Sequence, residues 1–255
     1  MSKLSKMKSV VLTELQDYKL LLRSVPSGVL TLFCMSVVLM NLLANKEIGL
    51  NLSWVALDCG FMISWLSFLF MDMLAKRFGP KASFKISVFA IVVNLLVCAV
   101  FYIVSLIPGN WGEYYTYSMS EINTALNNTI GGTWYVLLGS TIAFVVSAAV
   151  NSVVNGLIAK LIKNHLTFKE YALRSYISTM LAQFVDNLVF ALLVSHVFFG
   201  WSMIQVITCS ITGCMLELLC EIIFSPIGYK VCKKWEAEKV GEDYLAYRKN
   251  RKEQK

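Results

Sequence analysis

The chain has 255 residues, 57% of them hydrophobic and 15% charged, and its mean hydropathy is +0.63. A soluble domain of this length needs more charge on its surface, so the composition excludes that class and points to an all-α polytopic membrane protein. The net charge of +7 reports topology rather than nucleic-acid binding, because the basic residues are segregated along the chain.

The 23 Lys and Arg residues fall into four clusters: up to Arg23, Lys76 to Lys85, Lys160 to Arg174, and Lys230 onward, with only Lys46 outside them. Basic residues are retained on the cytoplasmic side of a membrane, so both termini and the second and fourth loops belong inside. Six spans of roughly 20–25 residues would use most of the chain. The expected organisation is an amphipathic cytoplasmic lead-in over residues 1–24, a six-helix transmembrane domain over 25–231 and a charged cytoplasmic tail over 232–255. The seven cysteines form no C-x-x-C pair and sit mostly in apolar segments. They read as small reduced hydrophobes, so neither a disulfide nor a metal site is expected, and no cofactor. The polar, amphipathic start of the chain has no apolar core of the kind a signal peptide needs.

Residues 1–24 are expected to lie along the headgroups. Span 1 follows from Val25 to Ala44 and ends in NLLANK, where Asn41 and Asn45 read as caps. Span 2 covers Leu52 to Leu74, with Asp58, Phe61, Trp65, Phe68 and Asp72 within roughly 40° of one helical line. This stripe is either ordinary packing or a stacking platform for a flat ring. Asp72 is likewise either an ion-pair partner of Lys76 or a cavity acid. Span 3, Phe84 to Ile107, stops at Pro108-Gly109 and carries Asn94 as a helix–helix hydrogen-bonding residue. The loop over 108–132 is acidic, aromatic and free of Lys and Arg, as an external loop should be. Span 4, Thr133 to Leu161, sets Ser147, Asn151 and Asn155 one turn apart, as interhelical glue or as cavity wall.

Span 5, Arg174 to Phe199, is long and apolar yet carries Asp186 near its middle, and an intramembrane acid is a functional-site candidate. Ser175, Thr179, Gln183, Asp186 and Phe190 lie within roughly 40° of one helical line, forming an inward polar stripe. A tight turn at Gly200 makes span 6, Ser202 to Tyr229, its antiparallel neighbour. Ser210, Gly213, Glu217 and Glu221 share one face of span 6. SPIGYK, with Pro226 and Gly228, is expected to end that span, leaving the last 20 residues as a solvated tail.

Asp186, Glu217 and Glu221 thus stand at membrane depth without a Lys or Arg nearby. Arg174 is about 18 Å along the helix from Asp186, and Lys230 about 13 Å from Glu221. Such acids must be neutral, share protons, accept hydrogen bonds from amides and hydroxyls, or meet a cation brought by a substrate. A nitrogen-rich ring meets that need, because a carboxylate accepts two parallel N–H bonds while aromatic side chains sandwich the ring.

Four pieces carry a resemblance: NLLANK at 41–46, the stretch from Gly60 to Asp72 continuing to Phe78-Gly79, RSYISTMLAQFVDNLVF at 174–190, and ELLCEIIFSPIGYKVCKKWE at 217–236. Over roughly residues 30–236 the chain resembles the queuosine precursor transporters, the vitamin-uptake-like family. The resemblance implies a multi-pass bacterial inner-membrane importer of 7-deazaguanine bases such as the 7-cyano and 7-aminomethyl forms, with queuine or the nucleoside as further substrates of relatives. Asp186, Gln183 and Ser178 match the family's span-5 pattern, Glu221 with Pro226 its span-6 pattern, and Asp72 the acid before its aromatic-Gly turn. Met71 stands where the family usually has Thr, Ser64-Trp65 where it has Phe-Pro, and Glu217 where a basic residue is common. The reversed charge at Glu217 favours a cationic, amine-bearing base.

The candidate substrate-binding set is Asp186, Gln183, Glu217, Glu221, Asn187, Thr179, Trp65, Phe68, Asp72 and Asn155, with no catalytic residue. The expected partners are the small-molecule substrate and the bilayer, with a homodimer compatible and nucleic acid not expected. One alternative is the substrate-binding membrane subunit of an energy-coupling-factor ABC vitamin importer. The chain has no P-loop, so an ATPase module enters only under that reading. A second alternative, an intramembrane enzyme, lacks H-E-x-x-H and has its two histidines, His165 and His196, at opposite membrane faces.

Overall fold

Pro26 and Gly79 decide how the chain enters its bundle. The computed structural model describes residues 3–48, 52, 54, 57–112, 120–131, 134–161 and 168–253. Helix α1 (Lys3–Ser24) stops just before Pro26, and α2 (Ser27–Leu43) departs from it at a bend of 102°. Proline disfavours helical geometry in the residue before it and suits the start of a new helix, so the break is local chemistry. Helices α3 (Phe61–Phe78) and α4 (Pro80–Leu106) are separated by Gly79 alone. Its φ of 92° lies where a side chain is strained, and Pro80 then opens α4 with its preset φ.

Span 2 was expected from Leu52, but the helix starts only at Phe61. Asp58 belongs to the preceding turn: its carboxylate accepts the Gly60 N–H at 2.7 Å, and it pairs with Glu47 in an isolated antiparallel bridge. The short polar side chain captures the backbone in a turn and so delays the helix. The long loop also holds a helix, α5 (Ser120–Ile130). Trp111 ties it down, with its backbone N–H on Asn123 Oδ1 at 2.6 Å and its indole N–H on Asn127 Oδ1 at 2.8 Å.

Helix α6 (Trp134–Leu161) is followed by α7 (Phe168–Phe190), which widens into a π-helical turn at Ala191–His196. Gly139 of α6 is why that turn can sit where it does, since a Cβ there would collide with Val194. Helix α8 (Met203–Ala237) runs straight through Pro226. Proline leaves the carbonyl four residues back without a donor, and here Ser225 Oγ donates to that carbonyl, Ile222 O, at 3.2 Å. The expected end at SPIGYK is therefore absent. The tail is not merely solvated either: α9 (Glu242–Glu253) packs on α1, with Tyr244 buried.

Among the described residues, four stretches are long and apolar enough to cross a membrane: Pro80–Leu106, the run Glu121–Leu161, Phe168–His196 and Met203–Ala237. The bent pair α1–α2 makes a fifth if counted as one span. Helix α3 is not among them, because its 18 residues include Asp72, Lys76 and Arg77. Asp72 is buried, Lys76 and Arg77 are half-buried, and most of α3 is buried. Outside, α4 and α8 expose Leu96, Val100, Ile103, Ile211, Met215 and Ile223. Polar groups inside and aliphatic ones outside identify a multi-pass membrane protein. The basic end is drawn together by Lys85 on Glu14 and Asp17, Arg251 on Glu14, Arg77 on Val240 O and Arg248 on Phe78 O.

Candidate functional site

The stripe on α7 crosses two polar clusters rather than one. Toward the basic end, Asp72 of α3 is the hub. Its Oδ1 accepts Asn155 Nδ2 at 2.7 Å and Asn151 Nδ2 at 3.3 Å, both from α6. Its Oδ2 accepts Thr179 Oγ1 at 2.9 Å and is also bonded by Ser175 Oγ, both from α7. The same Ser175 Oγ lies 2.5 Å from Glu221 Oε1 of α8. Arg174 Nε donates to Asn155 Oδ1 at 2.5 Å, so the guanidinium reaches Asp72 through one amide. All these residues are buried, with Glu221 at 0% exposure.

Among the described residues no Lys or Arg forms an ion pair with Asp186, Glu217 or Glu221; the Arg174 guanidinium serves a fourth buried acid, Asp72, through Asn155. Counting residues along α7 placed Arg174 far from Asp186, but Asp72 arrives from another helix and meets it there. Lys76 is not the partner of Asp72 that was considered. Its ammonium lies over the Tyr171 and Tyr229 rings, 4.9 and 5.0 Å from their centroids.

Toward the far end, Asp186, Asn187 and Phe190 of α7 meet Ser64 and Phe61 of α3, Ser140 of α6, Glu217 of α8, Asn41 of α2 and the Asp58-Gly60 turn. Glu217 Oε1 is bonded by Ser64 Oγ, and its Oε2 accepts Asn187 Nδ2 at 3.0 Å. Gly213 allows this, because a Cβ there would stand 3.1 Å from Asn187 Nδ2. Asp186 accepts Ser147 Oγ at 2.7 Å and is half-buried. Asn41 Nδ2 is buried with no hydrogen-bond partner. Three acids and no Lys or Arg line this chamber among the described residues. Its room for a water-sized sphere is about 30 Å³.

Gln183 sits between the two, one turn from Thr179 and one from Asp186. It is fully buried, and neither of its amide atoms has a partner. Of the expected set, Asp186, Asn187 and Glu217 share the far chamber, whereas Asp72, Asn155, Thr179 and Glu221 share the basic-end cluster. Trp65 and Phe68 join neither. Trp65 stacks on Phe224 of α8 at 4.5 Å and 16°, and Phe68 is an edge-on core partner of Phe144. The aromatic faces in the far chamber are those of Phe61 and Phe190. Asn41, Ser64, Ser140 and Arg174 were missed as site residues. Asn41 gave one sign, an amide inside an apolar span, which was read as a cap, and it is Asn45 that bonds back to Leu42 O at 3.1 Å.

Residues 58–231 match the model of a family described as "Putative vitamin uptake transporter". The chain belongs to that family. The matched stretch begins at the Asp58 turn and ends beyond Pro226, so it holds the basic-end cluster and all three acids of the far chamber, while Asn41, with α1, α2 and α9, lies outside it. Membership in the vitamin uptake transporter family makes a vitamin-uptake-like transporter of the chain. No curated protein and no solved structure matches the chain.

Proposed function

We propose that this vitamin uptake transporter imports queuosine precursors, 7-deazaguanine bases, across the bacterial inner membrane, and that the far chamber holds the base. The observation that carries this reading is the lining: Asp186, Glu217 and Asp58 with Phe61 and Phe190 and no basic side chain. Carboxylates in low dielectric favour N–H donors and cations, and two phenyl rings favour a flat heterocycle between them. Excess negative charge selects the aminomethyl base, whose ammonium supplies the missing counter-charge, over the neutral cyano base. Ligand pockets occupy about 300–1,000 Å³, so the chamber must widen to admit a base. The structure is then a closed state, in which Ser64, Ser147 and Asn187 hold the carboxylates until a ligand replaces them.

Cells unable to make queuosine test this. Expression of the chain should restore the modified tRNA nucleoside from external aminomethyl base, and less well from the cyano base. Asp186→Asn should abolish the rescue. Equal rescue by the variant, or no rescue with any 7-deazaguanine base, overturns the reading.

A further inference from the structure

One serine hydroxyl joins two carboxyl groups at the basic end. Ser175 Oγ is within hydrogen-bonding distance of Asp72 Oδ2 and, at 2.5 Å, of Glu221 Oε1. A serine hydroxyl donates once and otherwise accepts. Both contacts are made at the same time only if one of the two carboxyls carries a proton and donates it to Ser175.

The surroundings say which carboxyl that is. Asp72 accepts N–H bonds from Asn151 and Asn155 and an O–H bond from Thr179, and the Arg174 charge backs Asn155. That is the solvation an ionised carboxylate needs in an interior. Glu221 has Ser175 on one oxygen, while its Oε2 is buried with no hydrogen-bond partner. A charge left so bare at this depth is far costlier than a neutral acid. From this we infer that the transporter is proton-coupled, and that the Asp72–Ser175–Glu221 bridge carries the coupled proton. The inference rests on the transport reading above and names its driving ion.

The bridge works as a relay. Glu221 Oε1–H gives its proton to Ser175 Oγ while Ser175 passes its own hydrogen to Asp72 Oδ2. One O–H bond breaks and one forms at each step, and the negative charge moves from Asp72 to Glu221. The other charged or titratable groups facing the bridge are Glu170, Tyr171 and Arg174 from α7, Lys76 from α3, and Cys232 from α8. Helix α6 contributes only the amides Asn151 and Asn155. A crevice lined by Asp72, Ser175, Arg174, Tyr171, Glu170 and Lys76 has about 10 Å³ of room for a water-sized sphere. That is the space of about one water molecule, enough to pass a proton toward the basic end but not a base. Glu217, one turn away on α8, is in the base's own chamber, so charge at Glu221 is felt there through about 6 Å of helix.

The test uses purified protein in proteoliposomes with the voltage clamped and the aminomethyl base as probe. With an inward gradient of one pH unit, accumulation over the equal-pH value should rise about tenfold for one proton per base. Glu221→Gln should lose that rise while staying folded, as its thermal unfolding transition in detergent would show. Ser175→Ala should lose it too, and Ser175→Thr should recover it by restoring the hydroxyl. Accumulation indifferent to the pH gradient, driven instead by sodium, or still pH-driven in Glu221→Gln would overturn the coupling. A second arm needs no substrate: infrared spectra of the detergent-solubilised protein should contain a protonated-carboxyl band that Glu221→Gln removes. If no 7-deazaguanine base exchanges but that band is present, the substrate assignment falls and the proton pair stands. If exchange is robust and the band is absent, the pair falls and the substrate assignment stands.

Discussion

Glu217 and Glu221 are four residues apart on α8, and they face different polar clusters. Glu217 has a donor on each carboxylate oxygen, from Ser64 and Asn187, whereas Glu221 has Ser175 on one oxygen only. Removing the charge at each should therefore have different results. A hydrogen bond to a charged group is worth about 1.5–3 kcal/mol, so Glu217→Gln should weaken binding of the aminomethyl base roughly 10- to 100-fold. It should barely change binding of the cyano base. Calorimetry with both bases measures the difference.

The Asp72 hub predicts a stability effect. Asp72→Ala leaves Arg174 buried beside amides and hydroxyls that have lost their acceptor. Breaking a buried charged network from one side costs on the order of 3 kcal/mol or more. Thermal unfolding in detergent should show a large drop for Asp72→Ala. Asp72→Asn keeps the shape and should fall less.

Gly213 lets Asn187 stand against α8. With a Cβ 3.1 Å from Asn187 Nδ2, Gly213→Val must displace the amide that bonds Glu217. The variant should express and fold, because the three atoms nearest that Cβ all belong to the Asn187 side chain. Its base affinity should drop about tenfold, the value of one lost charge-assisted contact.

Two aromatic substitutions separate packing from recognition. Trp65→Ala removes the stack on Phe224 and should cost about 1 kcal/mol of stability with base affinity unchanged. Phe61→Ala opens the far chamber and should weaken base binding with a smaller stability loss. The reverse pattern would return the stacking platform to the α3 stripe expected from sequence.

The clasp between α1 and α9 has an acid limit. Hydrogen bonds from Lys85, and then from Arg251, hold the Glu14 carboxyl down from 4.5 to about 2. A carboxyl held low in the folded state stabilises fully above its ordinary value. That stabilisation is lost as pH falls toward and through about 2. Amide exchange in α9 should therefore be slow at neutral pH and accelerate in that acid window. Arg251→Gln should shift the window upward.

Much of this architecture was legible in the chain. Most helix positions followed from hydropathy and from the prolines and glycines at their ends, and Asp186 and Glu217 were found because acids in apolar segments are conspicuous. What one-dimensional reading lost was depth and partner. Helical spacing put Ser175 and Asp186 on one line, but a line on a helix spans most of the molecule's height, and here it passes through two clusters. Arg174 was measured only against Asp186 on its own helix, and spacing along one helix does not show that Asp72 of α3 comes to it through Asn155. Asp58 was assigned to a helix face because nothing in the periodicity reveals a side chain folding back on its own turn. Pro226 looked like a stop because Ser225, which makes it tolerable, acts through a bond that spacing does not show.

That unbroken α8 has a mechanical meaning. A single rod carries Glu217, then Glu221, then a joint missing one backbone hydrogen bond, and finally Trp235, which is packed under the carboxy-terminal helix near Phe78. Under the proton-coupling proposal, any rotation of α8 carries both carboxyls together, because one unbroken helix holds Glu217 and Glu221.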